Sequence, residues 1–457
     1  MSDPKRSTFG PWSPGSWQAS PNAQPLDYAD AGALAAAVER LRRLPPLVTS
    51  GEVLKLRELI ASAQRGERFL LQGGDCAETF ADCTPDVITS KLKILLQMSL
   101  VMVHGLERPV VRVGRFAGQY AKPRSNAHEQ QGELTLPSYR GDIVNQALFD
   151  PEARRHDPAL LVEAHKHAAL TLNFVRALVA GGFADYHRSE AWDLSFFERA
   201  DLGAALRAEY RTMARKLRDA LAFAEALGDK AVTPLAQVDF FSSHEGLNLH
   251  YESAQTRTVP RRDGFFDLST HFPWIGERTR QVDGAHVEFF RGIENPVGIK
   301  LGPTTTADEL AALLDALDPK RTPGKITLIT RLGAREVERA LPPLVERVRA
   351  DGRPVLWVCD PMHGNTITTA LGAKTRDFDQ ILLELERTVD VHASVGSVLG
   401  GVHFELTGED VTECIGGGLR AEDLDRNYAT VCDPRLNYRQ SLEMAFRLAK
   451  KLGRSGF

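Results

Sequence analysis

Short apolar runs recur along the chain, and most end in glycine-rich or charged residues before a helical pattern begins. Eight such runs stand at 69–72, 110–113, 237–242, 266–270, 297–301, 326–330, 355–358 and 402–405. Several are β-branched and apolar at successive positions, as a parallel strand buried on both faces should be. Eight strands with helices between them predict an α/β chain folded as a (β/α)8 TIM barrel. The fourth run is the least regular, and that strand has other placements nearby. The gap between the second and third runs is too long for one crossover helix. It carries helical patterns at 159–180 and 202–227, so extra helices are expected between strands 2 and 3, inserted over about 158–228. They serve as a structural cover or as a surface for assembly or regulation.

Ahead of the barrel the pattern changes. Residues 1–30 are rich in Pro, Ser, Gly and Asn, with Trp12 and Trp17 embedded. This is an extended arm, and two tryptophans favour its docking because each buries a large apolar area. Residues 31–65 hold two helical patterns split by Pro45 and Pro46. Ser50 is the candidate cap of the second, which carries Val53, Leu56 and Ile60 on one stripe. The organisation expected is therefore an arm with packing helices over 1–65 and a catalytic barrel over 66–457.

The bulk numbers narrow the function classes. With 56 basic and 60 acidic residues the net charge is −4, which gives no global attraction to nucleic acid or anionic membrane. No run of 18 apolar residues and no apolar leader is present, so a cytoplasmic protein without a membrane span is expected. The five cysteines are scattered and odd in number, which argues against a disulfide scaffold and leaves at least one as a candidate ligand.

Reactive groups of barrel enzymes sit where strands end. The first run is followed by Gly73-Gly74-Asp75-Cys76, the seventh by Cys359-Asp360-Pro361-Met362-His363, and the eighth ends in Glu405. A later loop reads Cys432-Asp433-Pro434-Arg435. Cys76, His363, Glu405 and Asp433 then converge on one rim. One sulfur, one imidazole and two carboxylates suit a divalent ion, most simply manganese, with cobalt or zinc as alternatives. Each alone has a bland reading: a buried packing thiol, a satisfied core histidine, a salt-bridge partner, a turn-forming aspartate. A second set is cationic. Arg115 follows the second run, with Lys122, Arg124 and Ser125 just beyond. Glu277 and Arg278 lie in the stretch Trp274–Thr279, Lys300 lies inside the fifth run, and Arg331 follows the sixth. A lysine inside an apolar strand is costly unless paired, and arginine forks match phosphate and carboxylate oxygens.

Long motifs in fixed order carry a resemblance: GGDCAE, GRFAGQYAKPRS, WIGERTRQ, GIKLGP, CDPMHGNT, FELTGEDVTEC and CDPRLN. The chain resembles, over nearly its whole length, the type II 3-deoxy-D-arabino-heptulosonate 7-phosphate (DAHP) synthases. The resemblance implies condensation of phosphoenolpyruvate with erythrose 4-phosphate, the first step toward aromatic amino acids and chorismate. It implies metal ligands at Cys76, His363, Glu405 and Asp433. Phosphoenolpyruvate contacts would be Arg115, Lys122, Glu277, Arg278, Lys300 and Arg331, and aldose phosphate contacts Lys122, Arg124 and Ser125. Lys122, Lys300 and His363 are the catalytic candidates, with the proton-handling group left open between Lys122 and a water beside His363. Also implied are aromatic amino acid effectors, a homo-oligomer (dimer or tetramer) and a chorismate mutase partner, for which the basic segment 447–457 is a candidate docking tail against the alternative of a terminal helix. The arm departs from the family pattern at Gln24–Asp30, which bears on subunit contacts and regulation. An octulosonate-phosphate synthase acting on arabinose 5-phosphate and a non-catalytic sensor of aromatic amino acids are the competing functions. A reversible Cys76–Cys432 disulfide is a minor alternative for those two thiols.

Overall fold

The computed structural model describes residues 10–181, 239–370 and 372–454, with isolated positions between 208 and 219. Eight parallel strands close into a barrel. They are β1 (Phe69–Gly74), β2 (Val110–Arg115), β5 (Phe240–Glu245), β8 (Phe272–Ile275), β9 (Val297–Leu301), β10 (Ile326–Thr330), β11 (Val355–Cys359) and β14 (Gly401–Glu405). The ring closes where β1 pairs with β14, from Leu70 beside Gly401 to Gly74 beside Glu405. That register sets the ends of β1 and β14 side by side at the C-terminal rim.

Six of the eight expected runs coincide with these strands. The third lies about three residues early, part of it outside the described residues. The fourth is a misplacement. Its residues end a small antiparallel hairpin of β6 (Thr256–Val259) and β7 (Arg262–Asp267), outside the barrel. The barrel strand is Phe-Pro-Trp-Ile at 272–275, and a proline in a run ordinarily argues against a central strand. Here Pro273 pairs opposite His244 in a strand of four residues, too short for one missing N–H to break it.

The bottom of the barrel is closed by helix α2 (Ser50–Gln64), which follows α1 (Ala31–Arg43). Leu56, Ile60 and Ala63 join the cluster of strand residues that fills the interior: Leu70, Val111, Val113, Phe241, Phe272, Trp274, Ile329, Leu356 and Val358. Two of the three residues of the expected stripe, Leu56 and Ile60, are therefore part of the plug, whereas Val53 packs into a separate core cluster. The cap of this helix is Thr49 rather than Ser50, in a reciprocal box with Glu52, which satisfies two orphan donors at once.

Helix α3 (Pro85–Leu106) connects β1 to β2. It is long and apolar enough to cross a membrane by length and composition, but 67% of its most apolar window is buried. Its partners are β1, β2, the insertion helix α4 (Ala159–Ala180) and the last helix, α10 (Tyr438–Arg454). Leu442, Ala445, Leu448, Ala449 and Leu452 of α10 are buried, so residues 447–454 continue a packed helix and do not form a free tail. Between β2 and α4 lies a second hairpin, β3 (His128–Gln131) with β4 (Leu134–Pro137). The helical pattern expected at 202–227 lies outside the described residues, apart from isolated positions.

Candidate active site

The strand ends build the site in sequence. Strand β1 ends at Gly74, whose φ is 147°. A Cβ there would fall 2.7 Å from the carbonyl oxygen of Arg115, so glycine lets the ends of β1 and β2 approach. Asp75 and Cys76 follow at once. Arg115 ends β2, Glu245 ends β5, Lys300 stands in β9, Arg331 follows β10, Asp360 follows β11 and Glu405 ends β14. These side chains except Asp75 and Asp360, together with the loops, line one cavity of about 750 Å³. All the expected residues line it: Cys76, Arg115, Lys122, Arg124, Ser125, Glu277, Arg278, Lys300, Arg331, His363, Glu405 and Asp433.

Three donors form a tight group. The candidate ligand atoms of Cys76, Glu405 and Asp433 all lie within 4.8 Å of one another. His363 stands beside this group, with Nε2 3.0 Å from Glu405 Oε1. Its other nitrogen, Nδ1, bonds Asp360 at 2.7 Å. A carboxylate on the far nitrogen fixes the ring's direction, as it does behind metal-bound histidines. The cluster already attracts a cation of the protein's own. Lys122 Nζ lies 2.6 Å from Cys76 Sγ and 2.6 Å from Asp433 Oδ2. Sulfur, imidazole and two carboxylates fit a divalent transition ion.

Glu405 is fully buried. Burial pushes its carboxyl up, but His363, Arg376, Arg115 and Lys122 outweigh that and hold it well below the usual range. The bonds are visible: Arg115 Nη2 donates to Oε1 at 3.0 Å and Arg376 Nη1 to Oε2 at 2.6 Å. For Lys122 burial opposes the charge, but Cys76, Asp433 and Glu405 win and raise its pKa well above the ordinary value. Burial pushes the Cys76 thiol well up, with Cys432 and Glu405 adding to the rise. All five cysteines are free.

A cationic floor lies beside the donors. Arg115 is fixed by four bonds: to the carbonyls of Asp75 (2.9 Å) and Cys76 (3.0 Å), to His403 (2.6 Å) and to Glu405. Trp274 carries the Arg115 guanidinium at 5.2 Å and the Lys300 ammonium at 5.9 Å from its ring centroid, where the ring face attracts both. Lys300 is buried and paired with Asp360. Burial lowers its pKa to about 8, partly offset by Asp360. Farther out Arg331 donates to the carbonyl of His363 at 2.9 Å, and Arg278 reaches across to Ser125 Oγ at 2.9 Å. Glu277 faces Arg280 at 3.2 Å, so its carboxylate is turned to a cation and does not itself suit an anion.

Other residues of the site were not singled out from sequence. Glu245 lines the cavity with Oε1 buried and unpartnered, and burial raises its pKa against the pull of Lys122, Lys300, His363 and Arg115. Trp274 lies one residue before the end of β8. The strand-end rule reaches both once β5 and β8 are correctly placed. Arg376 and His403, which brace Glu405 and Arg115, stand in no such position.

The class-II DAHP synthetase family model matches residues 12–449. Phospho-2-dehydro-3-deoxyheptonate aldolase of Neurospora crassa is 46% identical over 456 residues, covering 96% of this chain and 94% of that protein. The protein of the same name from Streptomyces coelicolor is 49% identical over 436 residues, covering 95% and 96%. A solved structure of phospho-2-dehydro-3-deoxyheptonate aldolase from Francisella tularensis SCHU S4 overlays with a TM-score of 0.47 at 15% identity, covering 91% of this chain and 96% of that one; so loose a likeness adds nothing to the barrel already visible. A match along almost the entire chain, with relatives close to half identical, means that this chain belongs to the class-II DAHP synthetase family.

Proposed function

We propose that the chain joins phosphoenolpyruvate to D-erythrose 4-phosphate and water, giving DAHP and inorganic phosphate. One observation carries the chemistry: a buried cationic floor shares a single cavity with a sulfur–imidazole–carboxylate donor set. Two anionic substrates require the first, and an aldehyde acceptor is served by the second. Cys76, His363, Glu405 and Asp433 would hold the divalent ion, which when bound supplies Lewis acidity toward a carbonyl oxygen.

The chain's own groups do the rest. Arg115, Lys300 and Arg331 hold the carboxylate and phosphate of phosphoenolpyruvate, with Trp274 beneath the first two. Lys122, Arg124 and Ser125 hold the aldose phosphate, and Arg278, which the resemblance assigns to phosphoenolpyruvate, bonds Ser125 Oγ across the mouth. Holding both anions in reach is worth on the order of 7–11 kcal/mol for a well-oriented pair. C3 of phosphoenolpyruvate bonds to the aldehyde carbon, whose oxygen takes a proton. Water adds at C2 and loses a proton; the C2–O bond to phosphate then breaks as the new C2 hydroxyl passes its proton to the leaving phosphate, giving the ketone. Lys122 keeps its proton under the pull of Cys76, Asp433 and Glu405, so it acts as charge and donor and not as the resting base. Glu245, half-buried with its Oε1 buried and unpaired near the cations, is the group suited to receive the water's proton.

The family resemblance, and not this geometry, is what proposes aromatic amino acid effectors, a dimer or tetramer, and a mutase partner. The acceptor is tested by following loss of the enol absorbance of phosphoenolpyruvate with erythrose 4-phosphate or arabinose 5-phosphate. Turnover with the four-carbon sugar alone is expected. A preference for the pentose would assign the cavity to octulosonate synthesis instead.

A further inference from the structure

The N-terminal arm reaches the rim of the site through one side chain. Its outer end is anchored by Trp12, whose Nε1 donates to the carbonyls of Glu288 (2.9 Å) and Phe289 (3.2 Å). The indole fills the space over Gly292, where any Cβ would fall 2.0 Å from it. Trp17 is buried with its ring edge-on to His250, and the carbonyl of Pro21 accepts from the N–H of Ala285 at 2.8 Å. At the inner end Asn248 Nδ2 donates to the Tyr28 hydroxyl at 3.0 Å. Gln24 lies between these anchors and is buried.

Gln24 pairs with the backbone of Arg124 in both directions. Its Oε1 accepts from the Arg124 N–H at 3.0 Å and its Nε2 donates to the Arg124 carbonyl at 3.1 Å. The same Oε1 accepts from Arg140 Nη1 at 3.1 Å. Arg140 in turn receives the N–H of Lys122 on its carbonyl at 2.9 Å. The loop from Lys122 to Ser125 belongs to no strand, and this amide gives Arg124 the pairing that a neighbouring strand would supply.

We infer that Gln24 is a positioning residue for the aldose phosphate, fixing the loop that carries Lys122, Arg124 and Ser125 without touching substrate. This rests on the reading above that Arg124 and Ser125 receive the sugar phosphate. The phosphoenolpyruvate cations Arg115, Lys300 and Arg331 stand on or directly after barrel strands and have no bond to Gln24. Loosening the arm therefore acts on one substrate and spares the other.

The test uses the full-length, metal-loaded enzyme, with KM for each substrate, kcat and a thermal melt. Gln24→Ala is expected to raise KM for erythrose 4-phosphate about tenfold, with KM for phosphoenolpyruvate within about twofold and kcat little changed, because buried partners lose their bonds. Should that variant fail to fold, Gln24→Glu keeps an oxygen facing the Arg124 N–H and Arg140 but sets a carboxylate oxygen against the Arg124 carbonyl where Nε2 donated, and should also raise the same KM. An unchanged KM for erythrose 4-phosphate, or a lowered melt with both KM values moving alike, would give the arm a purely stabilising role and overturn the inference. Arg124→Ala separates the two levels. If it raises that KM while the Gln24 variants do not, only the inference falls. If it too leaves that KM unchanged, the loop does not receive the sugar phosphate and both readings fall.

Discussion

The floor of the cavity and its rim solve the same problem, holding an anion, by different means. On the floor the anion-holding Arg115 and Lys300 are at most 5% exposed, as are the neighbouring donors Cys76 and Glu405. They stand at or just beyond strand ends and are cross-braced by Asp360, Arg376, His403 and Trp274. On the rim Arg124, Ser125 and Arg278 are half-buried or exposed, stand on loops, and depend on the arm and on Glu129 for their placement. Charge taken out of water is felt at full strength but must be paired. Charge left at the mouth is screened and contributes modestly. The difference teaches that the floor should govern chemistry, and the rim the capture of the second substrate.

The largest effect is expected at the donor group. Cys76→Ser should leave the fold intact and cost more activity than the roughly 10–100-fold typical of a ligand's outer partners. Competition with a chelator should show weakened metal binding; full activity with added manganese would remove Cys76 from the ligand set. Next in size is Lys300→Ala, which removes a buried cation and leaves Asp360 with only its bonds from His363 and Met362. Losses of this kind cost about 2–5 kcal/mol, read as a collapse of kcat/KM for phosphoenolpyruvate. Normal affinity for that substrate in a binding titration would break the contrast between floor and rim. On the rim itself, Arg278→Ala removes a partly exposed contact and the bond to Ser125. A rise of a few-fold to about tenfold in KM for erythrose 4-phosphate is expected, and a loss as deep as that of Lys300→Ala would erase the distinction.

The smallest effect concerns what holds the floor's loops together. Glu384 accepts from the N–H of Leu332 at 2.8 Å and from Asn365 at 2.7 Å, tying the loop after Arg331 to the loop after His363. Burial pushes its carboxyl up to about 7 from an ordinary 4.5. Its folded form then holds a proton that the unfolded chain has lost, so stability should fall as pH rises from about 4.5 to about 7. Glu384→Gln should flatten that part of the slope. Calorimetric Tm values at pH 5 and pH 8 decide it: parallel shifts in the two proteins would mean that Glu384 does not titrate in this window.

Legibility from sequence follows the same division. Cys76, Arg115, Lys300, Arg331 and Glu405 were readable because they follow or sit in apolar runs, and a parallel barrel sends all strand ends to one rim. Glu245 and Trp274 obey the same rule but were hidden, since the third run was placed early and the fourth fell on the hairpin at 266–270. Pro273 disguised the true strand. Arg376 ends β13 (Lys374–Arg376), a short strand of mixed exposure paired with β12 (Thr366–Thr368), and His403 stands in mid-strand on β14. Their roles come from what tertiary packing places opposite them, which no local pattern records. Gln24 is invisible for a related reason: its partner lies 100 residues away.

The most direct measurement is phosphate release from phosphoenolpyruvate in chelated, reduced protein, with erythrose 4-phosphate and a divalent ion added back singly and together. Release only when both are present is the expected result. Release without the aldose, or undiminished release without the ion, from folded protein would contradict the assignment of the donor group and of the chemistry built on it.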